Sequence, residues 1–197
     1  MIPAQRAPEA VPTSTVDLDA ATRWALAARS GDPVAQAAFV RATQTEVWRL
    51  AAALVDPDAA DDLAQEAYLR AFRSLPDFEG RSSARTWLLG ITRRACADHL
   101  RSVVRRRRLR SRLEAHPEPE RSVMAAAEPD PAQRFASAEL LRRLPADRRS
   151  AFVLTQLIGL SYTEAAEVEG VPVGTIRSRV ARARAELVAV LDEAGAS

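Results

Sequence analysis

Residues 160–187, LSYTEAAEVEGVPVGTIRSRVARARAEL, decide how the chain is read. They predict two helices joined by a tight turn. Ser161 followed three residues later by Glu164 forms a capping box, in which the hydroxyl and the carboxylate each satisfy a backbone N–H left open at the helix start. Gly170 suits the left-handed conformation that ends a helix, and Pro172 suits the first turn of the next. In that second helix Ile176, Val180, Ala183 and Leu187 form one apolar stripe. At about 100° per residue the opposite face holds Gly174, Ser178, Ala181, Arg182 and Ala185, with Arg177 beside them. Arg179 and Arg184 fall on the flanks, where phosphates would lie. Between Val173 and Leu187 a single acid, Glu186, accompanies four arginines. A solvated amphipathic helix would balance these charges better. The layout is that of a helix-turn-helix whose second helix enters a DNA major groove.

Composition sets the limits around this motif. The chain has 197 residues, enough for one or two small domains. Its 28 basic and 26 acidic residues sum to only +2, so the net charge says little. The distribution says more: residues 101–112 hold seven arginines and no acid, which leaves 2 − 7 = −5 on the rest. A basic segment on an otherwise acidic chain suggests separate surfaces for nucleic acid and for another partner. The single cysteine, Cys96, excludes an intramolecular disulfide and argues against a zinc cluster. Cys96 and His99 lie three apart on a predicted helix and are read as a buried thiol beside a surface imidazole. No apolar run is long enough to cross a membrane and no signal-peptide core is present, so a cytoplasmic protein is expected.

The periodicity predicts an all-α protein of two small helical domains joined by a flexible linker. Residues 1–19 read as a disordered tail, 20–104 as the first domain, and 105–131 as an Arg-rich then Pro/Glu-rich linker. Residues 132–192 read as the second domain and 193–197 as a tail. Asp32-Pro33 marks a helix start. Asp56-Pro57-Asp58 ends that helix and opens another from about Ala59 to Leu75, residues 76–83 form a loop, and a further helix runs from about Ala84 past Arg101.

Three constellations in the first domain and after it invite function. Asp61, Asp62 and Glu66 cluster around Gln65 on one helix. They could bind magnesium in a small enzyme, but such enzymes need a second acidic cluster across a deep cavity, and this domain is too small to supply one. A protein-contact face fits better, and a helix N-terminus alone also accommodates Asp61 and Asp62. Trp87, Leu88, Ile91 and Ala95 read as core, with Arg85, Thr86 and Arg93 opposite and Arg94 and Arg101 on a flank, suited to a nucleic-acid strand. The Arg105–Arg108 run suits nonspecific, salt-dependent phosphate contact or simply a solvated helix end.

Together these motifs resemble the extracytoplasmic-function (ECF) sigma factors of bacteria. ADDLAQEAYLRAFRSLPDFEGRSSARTWLLGITRRACADHLR (60–101) is similar to their region 2, and LRRLPADRRSAFVLTQLIGLSYTEAAEVEGVPVGTIRSRVARARAEL (141–187) to their region 4. RATQTEVWRL (41–50), SSARTWLL (82–89) and LTQLIGLSY (154–162) look most like the actinobacterial sigma factor C type. The resemblance implies a transcription initiation factor without catalysis or cofactor. Its partners would be core RNA polymerase, through the clamp helices of the largest subunit and the flap, together with promoter DNA. Many members are held by an anti-sigma protein, though no residue here identifies one.

By the family's motifs Asp61, Asp62, Gln65, Glu66 and Arg70 would lie on the polymerase surface. The loop Asp77, Phe78, Glu79, Gly80, Arg81, Ser82 and Ser83 would hold a flipped base of the minus-10 element. Arg85, Arg93, Arg94 and Arg101 would face the melting duplex. Arg177, Ser178, Ala181 and Arg182 would read the minus-35 element, with Thr175 and Arg179 on phosphates. One short helix discriminates by about 1–3 kcal/mol per bidentate contact, so two half-sites must act together on polymerase. Free protein is therefore expected to bind promoter DNA poorly. A response regulator with a similar helix-turn-helix would carry a strand-rich receiver domain, and the first half here has no strand pattern.

Overall fold

The computed structural model describes residues 19–113 and 139–195, and these are helical with no strand among them. The expected N-terminal tail before Asp19, the Pro/Glu-rich part of the linker and the last two residues lie outside the described residues. Four helices make the first half: α1 (Ala20–Ala28), α2 (Pro33–Leu54), α3 (Ala60–Ser74) and α4 (Ala84–Leu113). Asp19 caps α1 by accepting from the Thr22 N–H, and Asp32 caps α2 by accepting from the Val34 N–H, with Pro33 in its first turn. Between α3 and α4 the chain makes a 3-10 turn, Leu75–Asp77, before the extended segment expected there. α4 does not stop at Val104. It carries the arginine run as continuous helix to Leu113, so the expected start of the linker at residue 105 lies on the helix.

The second half begins with a helix, α5, whose described part is 139–143. α6 (Ala146–Phe152) passes into a π-helical turn, Val153–Leu157, where the Ile158 N–H donates to the Val153 carbonyl at 3.0 Å. α7 (Tyr162–Glu169) and α8 (Val173–Gly195) form the helix-turn-helix. Both halves of the capping box are made: the Glu164 N–H donates to Ser161 Oγ at 3.2 Å and the Ser161 N–H to Glu164 Oε2 at 2.8 Å. Gly170 closes α7 in the left-handed region at φ 67°. α8 starts one residue after Pro172 and runs three residues past Asp192.

Two apolar clusters hold the molecule. Phe39, Val47, Leu75, Phe78, Leu88 and Ile91 pack with alanines of α1 and α3 inside the first half. Short alanine side chains let these helices approach closely, which makes the core tight but small in area. The second cluster crosses between the halves: Leu50, Leu54, Leu63 and Leu89 meet Leu154, Ile158, Leu160, Ile176 and Val180. At about 25 cal/mol per Å² of apolar surface, such a shared core favours the two halves staying together.

Candidate nucleic-acid and protein interfaces

The outward face of α8 is built as its sequence predicts. Ile176, Val180 and Ala183 are buried and Leu187 is partly buried, so the opposite side must face outward. Gly174, Arg177, Ser178, Ala181, Arg182 and Ala185 are exposed there, and Thr175 is half-buried. Ser178 Oγ donates to the Thr175 carbonyl at 2.9 Å, a local bond that leaves its lone pairs outward. Arg148 of α6 pairs with Glu186, and Arg184 donates to Gln156 Oε1 at 2.6 Å, bracing α8 against the preceding turns.

Arg179 departs from expectation. Instead of standing free on a phosphate flank, it lies 3.2 Å from Asp147 and 3.4 Å from Glu169. The reason is Glu169, whose carboxylate is wholly buried at the end of α7, where a negative charge also meets the unfavourable end of the helix dipole. A buried carboxylate needs cations around it. Arg179 is one, the Ser150 hydroxyl also donates, and Arg93 of α4 is the other cation.

Arg93 and Arg85 are the second departure. The expectation was a basic face of α4 open to a nucleic-acid strand, but the second half of the molecule covers it. Arg93 Nε and Nη2 donate to the two carboxylate oxygens of Glu169 at 2.6 and 2.8 Å. Arg85 makes the same two-toothed pair with Glu46 of α2, at 2.7 and 2.9 Å, and also donates to the Ile158 carbonyl at 2.7 Å. Those bonds to Glu46 raise the Arg85 pKa above its ordinary value. Thr86, expected beside them, is buried. Arg94 and Arg101 remain exposed, Arg101 paired with Asp98.

The loop before α4 divides into structural and exposed parts. Phe78 is buried and packs on Trp87 with ring centroids 4.8 Å apart, so its ring is core rather than contact surface. Ser83 caps α4, accepting from the Thr86 N–H at 3.0 Å. The Ala84 N–H donates to Thr22 Oγ1 at 2.8 Å, pinning the loop to α1. Asp77, Glu79 and Arg81 are exposed, with Glu79 and Arg81 paired at 2.6 Å; Gly80 and Ser82 are partly buried between them. Gly80 sits at φ 72°, a backbone conformation that favours glycine.

On α3 Asp61, Asp62 and Gln65 are exposed and Glu66 is half-buried. Arg70 reaches Glu66 at 2.7 Å and Asp98 of α4 at 2.7 Å, which ties this face to α4. Hydrogen bonds from Arg70, then Arg101, hold the Asp98 carboxyl below the usual carboxylate range. Leu69, 46% exposed, stands on the same face and escaped the sequence reading. Its signal was there: it falls off the buried Leu63, Ala67, Ala71 stripe. Among the described residues no group of three or more histidine, cysteine, aspartate or glutamate side chains could hold a metal ion. Nor is any described helix long and apolar enough to cross a membrane.

The sigma-70 region 2 family model matches residues 36–108, and the sigma-70 region 4 model matches residues 136–187. The "ECF RNA polymerase sigma factor SigC" of Mycobacterium tuberculosis is 47% identical over 174 residues, covering 88% of this chain and 92% of that protein. The "ECF RNA polymerase sigma-E factor" of Escherichia coli K12 is 34% identical over 164 residues, covering 79% and 86%. Among solved structures, CnrH in complex with the cytosolic domain of CnrY superposes with a TM-score of 0.69 at 26% identity, covering 89% of this chain and 99% of that one. The sigma factor RpoE of Bartonella quintana, in complex with the anti-sigma factor NepR, superposes with a TM-score of 0.63 at 28% identity, covering 78% and 94%.

Proposed function

The chain belongs to the sigma-70 family, in its ECF branch, and on that premise we propose which of its surfaces does each part of a sigma factor's work. It binds core RNA polymerase and directs initiation at promoters. It acts in the cytoplasm and catalyses no reaction of its own. Region 2 is read as α1–α4, expected at about residues 20–104 and here extended by the last turns of α4, and region 4 as α5–α8, expected at about residues 132–192.

The exposed row Arg177, Ser178, Ala181 and Arg182 carries the reading, because it stands on the outward side of the second helix of a helix-turn-helix. Small Ser178 and Ala181 let α8 approach the base edges, and the two arginines supply donors matched to guanine O6 and N7. Thr175 lies where a phosphate would pass. Asp61, Asp62, Gln65 and Glu66, with Arg70 orienting Glu66, form the polymerase surface. Leu69 adds an apolar centre to that charged patch, as protein interfaces usually have.

For the minus-10 element, Asp77, Glu79, Gly80, Arg81 and Ser82 form the rim that meets an extruded base. Phe78 and Ser83 shape that rim from behind, and Arg94 and Arg101 face the adjoining duplex. Of Arg85, Arg93 and Arg179, only Arg93 is freed from its carboxylate when region 4 leaves region 2, since Arg85 stays paired with Glu46 of region 2 and Arg179 with Asp147 and Glu169 of region 4. This gives a second reason why the free protein binds promoter DNA poorly: its two DNA-reading units are packed on each other. An anti-sigma protein is a further class of partner, by analogy with the anti-sigma factor NepR held by RpoE.

Run-off transcription with purified bacterial core polymerase and fragments of the source genome tests the reading. Discrete transcripts that require both the chain and core are the expected result. No transcripts and no stable complex with core would overturn it.

A further inference from the structure

A cleft of about 230 Å³ opens on the seam between the two halves, and none of the surfaces assigned above uses it. Region 2 gives it apolar walls, Leu54 from α2 and Cys96, Ala97 and Leu100 from α4. Its polar groups are Arg93 of α4 and Asp147, Arg149 and Ser150 of α6. Three of these four already have partners. Arg93 and Ser150 donate to Glu169, and Asp147 lies 3.2 Å from Arg179. Arg149 is different: its guanidinium makes no hydrogen bond or ion pair among the described residues. Its Nε is the one buried side-chain nitrogen or oxygen among them left without a partner. Burial, and then the like charge of Arg142, lowers its pKa.

A buried donor with no acceptor is costly, and more so when it carries charge. The surrounding charges do not cancel this one. Arg93, Arg149 and Arg179 stand against Asp147 and Glu169, an excess of one positive charge, while Arg142 has its own acid in Glu139 at 3.0 Å. What the cleft lacks is therefore a single negative charge that accepts hydrogen bonds. The apolar walls fix the rest of the ligand. A phosphate would need donors for several oxygens, and only one guanidinium here is unengaged, whereas a carboxylate on a short hydrocarbon chain matches both the charge and the lining. The volume lies below the roughly 300–1,000 Å³ typical of sites for drug-sized ligands, so that chain is only a few carbons long.

We propose that this cleft binds a small aliphatic monocarboxylate, whose carboxylate accepts from Arg149 and whose chain lies against Leu54, Ala97 and Leu100. The walls belong to region 2 and Arg149 to region 4, so the acid binds the packed arrangement and not the separated one. By mass action it then holds the two halves together. The site rests on the geometry of the seam, and its consequence for transcription rests on the sigma-factor reading above.

The test titrates the full chain with sodium butyrate, hexanoate and octanoate at constant ionic strength, with sodium chloride and neutral hexanamide as controls. Binding is read by calorimetry and by the rate at which a maleimide labels Cys96 in the cleft wall. An acid that fits, at about ten times its Kd, should slow labelling about tenfold, and neither control should. Arg149→Gln should abolish this protection yet melt no lower than wild type, because it removes a cation that has no partner. Ala97→Leu fills the cleft with the charge intact and should abolish the protection as well. No binding of any of the three acids overturns the site. So does equal protection by chloride, which would mean an adventitious ion only, or full protection in Arg149→Gln. In run-off transcription the bound acid should lower the output of the wild-type chain and leave Arg149→Gln unaffected. Binding with unchanged output overturns the clamp, whereas binding by a chain that gives no transcripts with core keeps the site and overturns the sigma-factor reading instead.

Discussion

Arg93 and Glu169, 76 positions apart, form a two-toothed ion pair that joins region 2 to region 4. Glu169 is fully buried and also receives Ser150 and Arg179, so one carboxylate organises three side chains from three helices. Replacing it with alanine leaves two arginines facing a void. Removing one partner of a buried pair costs about 3 kcal/mol, and here that cost falls on the contact between the halves. In Glu169→Ala, Cys96, buried on α4 in the shared core, should be alkylated by a maleimide at least tenfold faster than in wild type, each tenfold corresponding to about 1.4 kcal/mol of opening. Unchanged labelling, with helix content preserved, would show that the apolar contacts alone hold the packed form.

The same thiol predicts a pH dependence. Burial pushes the Cys96 pKa up to about 12. In the unfolded chain it titrates near 8.5, so above that pH the unfolded state holds fewer protons than the native state. Stability must then fall as pH rises, by about 1.4 kcal/mol per unit at full effect. Urea unfolding between pH 8 and pH 10 should show this slope in wild type, and Cys96→Ala should lack it while being less stable throughout. Tyr68, also raised by burial, titrates only above that window.

The two functional faces should separate cleanly. Arg177→Ala and Arg182→Ala each remove a donor from the exposed side of α8, and promoter-specific transcription should drop by roughly ten- to a hundredfold, the size of one lost bidentate base contact. Binding to core polymerase should not change. Gln65→Ala should do the opposite, weakening the complex with core; Glu66→Ala should do likewise, although it also frees Arg70 from one of its two carboxylates. A pull-down on core with the reverse pattern would overturn both assignments.

What the sequence discloses is what its neighbours in the chain decide. Ser161 and Glu164, Asp32 and Pro33, and the Ile176, Val180, Ala183 stripe depend on residues one or two turns away, and each appears in the structure as its spacing implies. The outward face of α8 follows from that stripe by geometry. The fates of Arg85, Arg93 and Arg179 depend on Glu46, Glu169 and Asp147, and all three partners lie on other helices brought close only by tertiary packing. An arginine opposite an apolar stripe reads as solvent-facing when a second apolar surface is not foreseen. Leu89, Thr92 and Cys96, buried on that other side of α4, were its trace in the sequence.

Phe78 makes the last separation, within the loop itself. The run from Asp77 to Ser83 resembles a single base-holding unit, but Phe78 is buried against Trp87 while Arg81 is among the most exposed side chains of the segment. Truncating a buried phenylalanine costs about 3–5 kcal/mol, so Phe78→Ala should lower the unfolding midpoint of region 2 markedly. Arg81→Ala removes only a surface pair with Glu79, worth about 0–1 kcal/mol, and should leave the midpoint near wild type. If the rim assignment holds, the two variants part company in function as well. Arg81→Ala should slow promoter melting, read as permanganate reactivity of minus-10 thymines, in a fully folded protein. Phe78→Leu, which keeps the apolar packing, should melt DNA close to normally. Should Phe78→Leu instead abolish melting at wild-type stability, the ring itself would be meeting the DNA, and its place in the core would have to be exchanged for one on the rim.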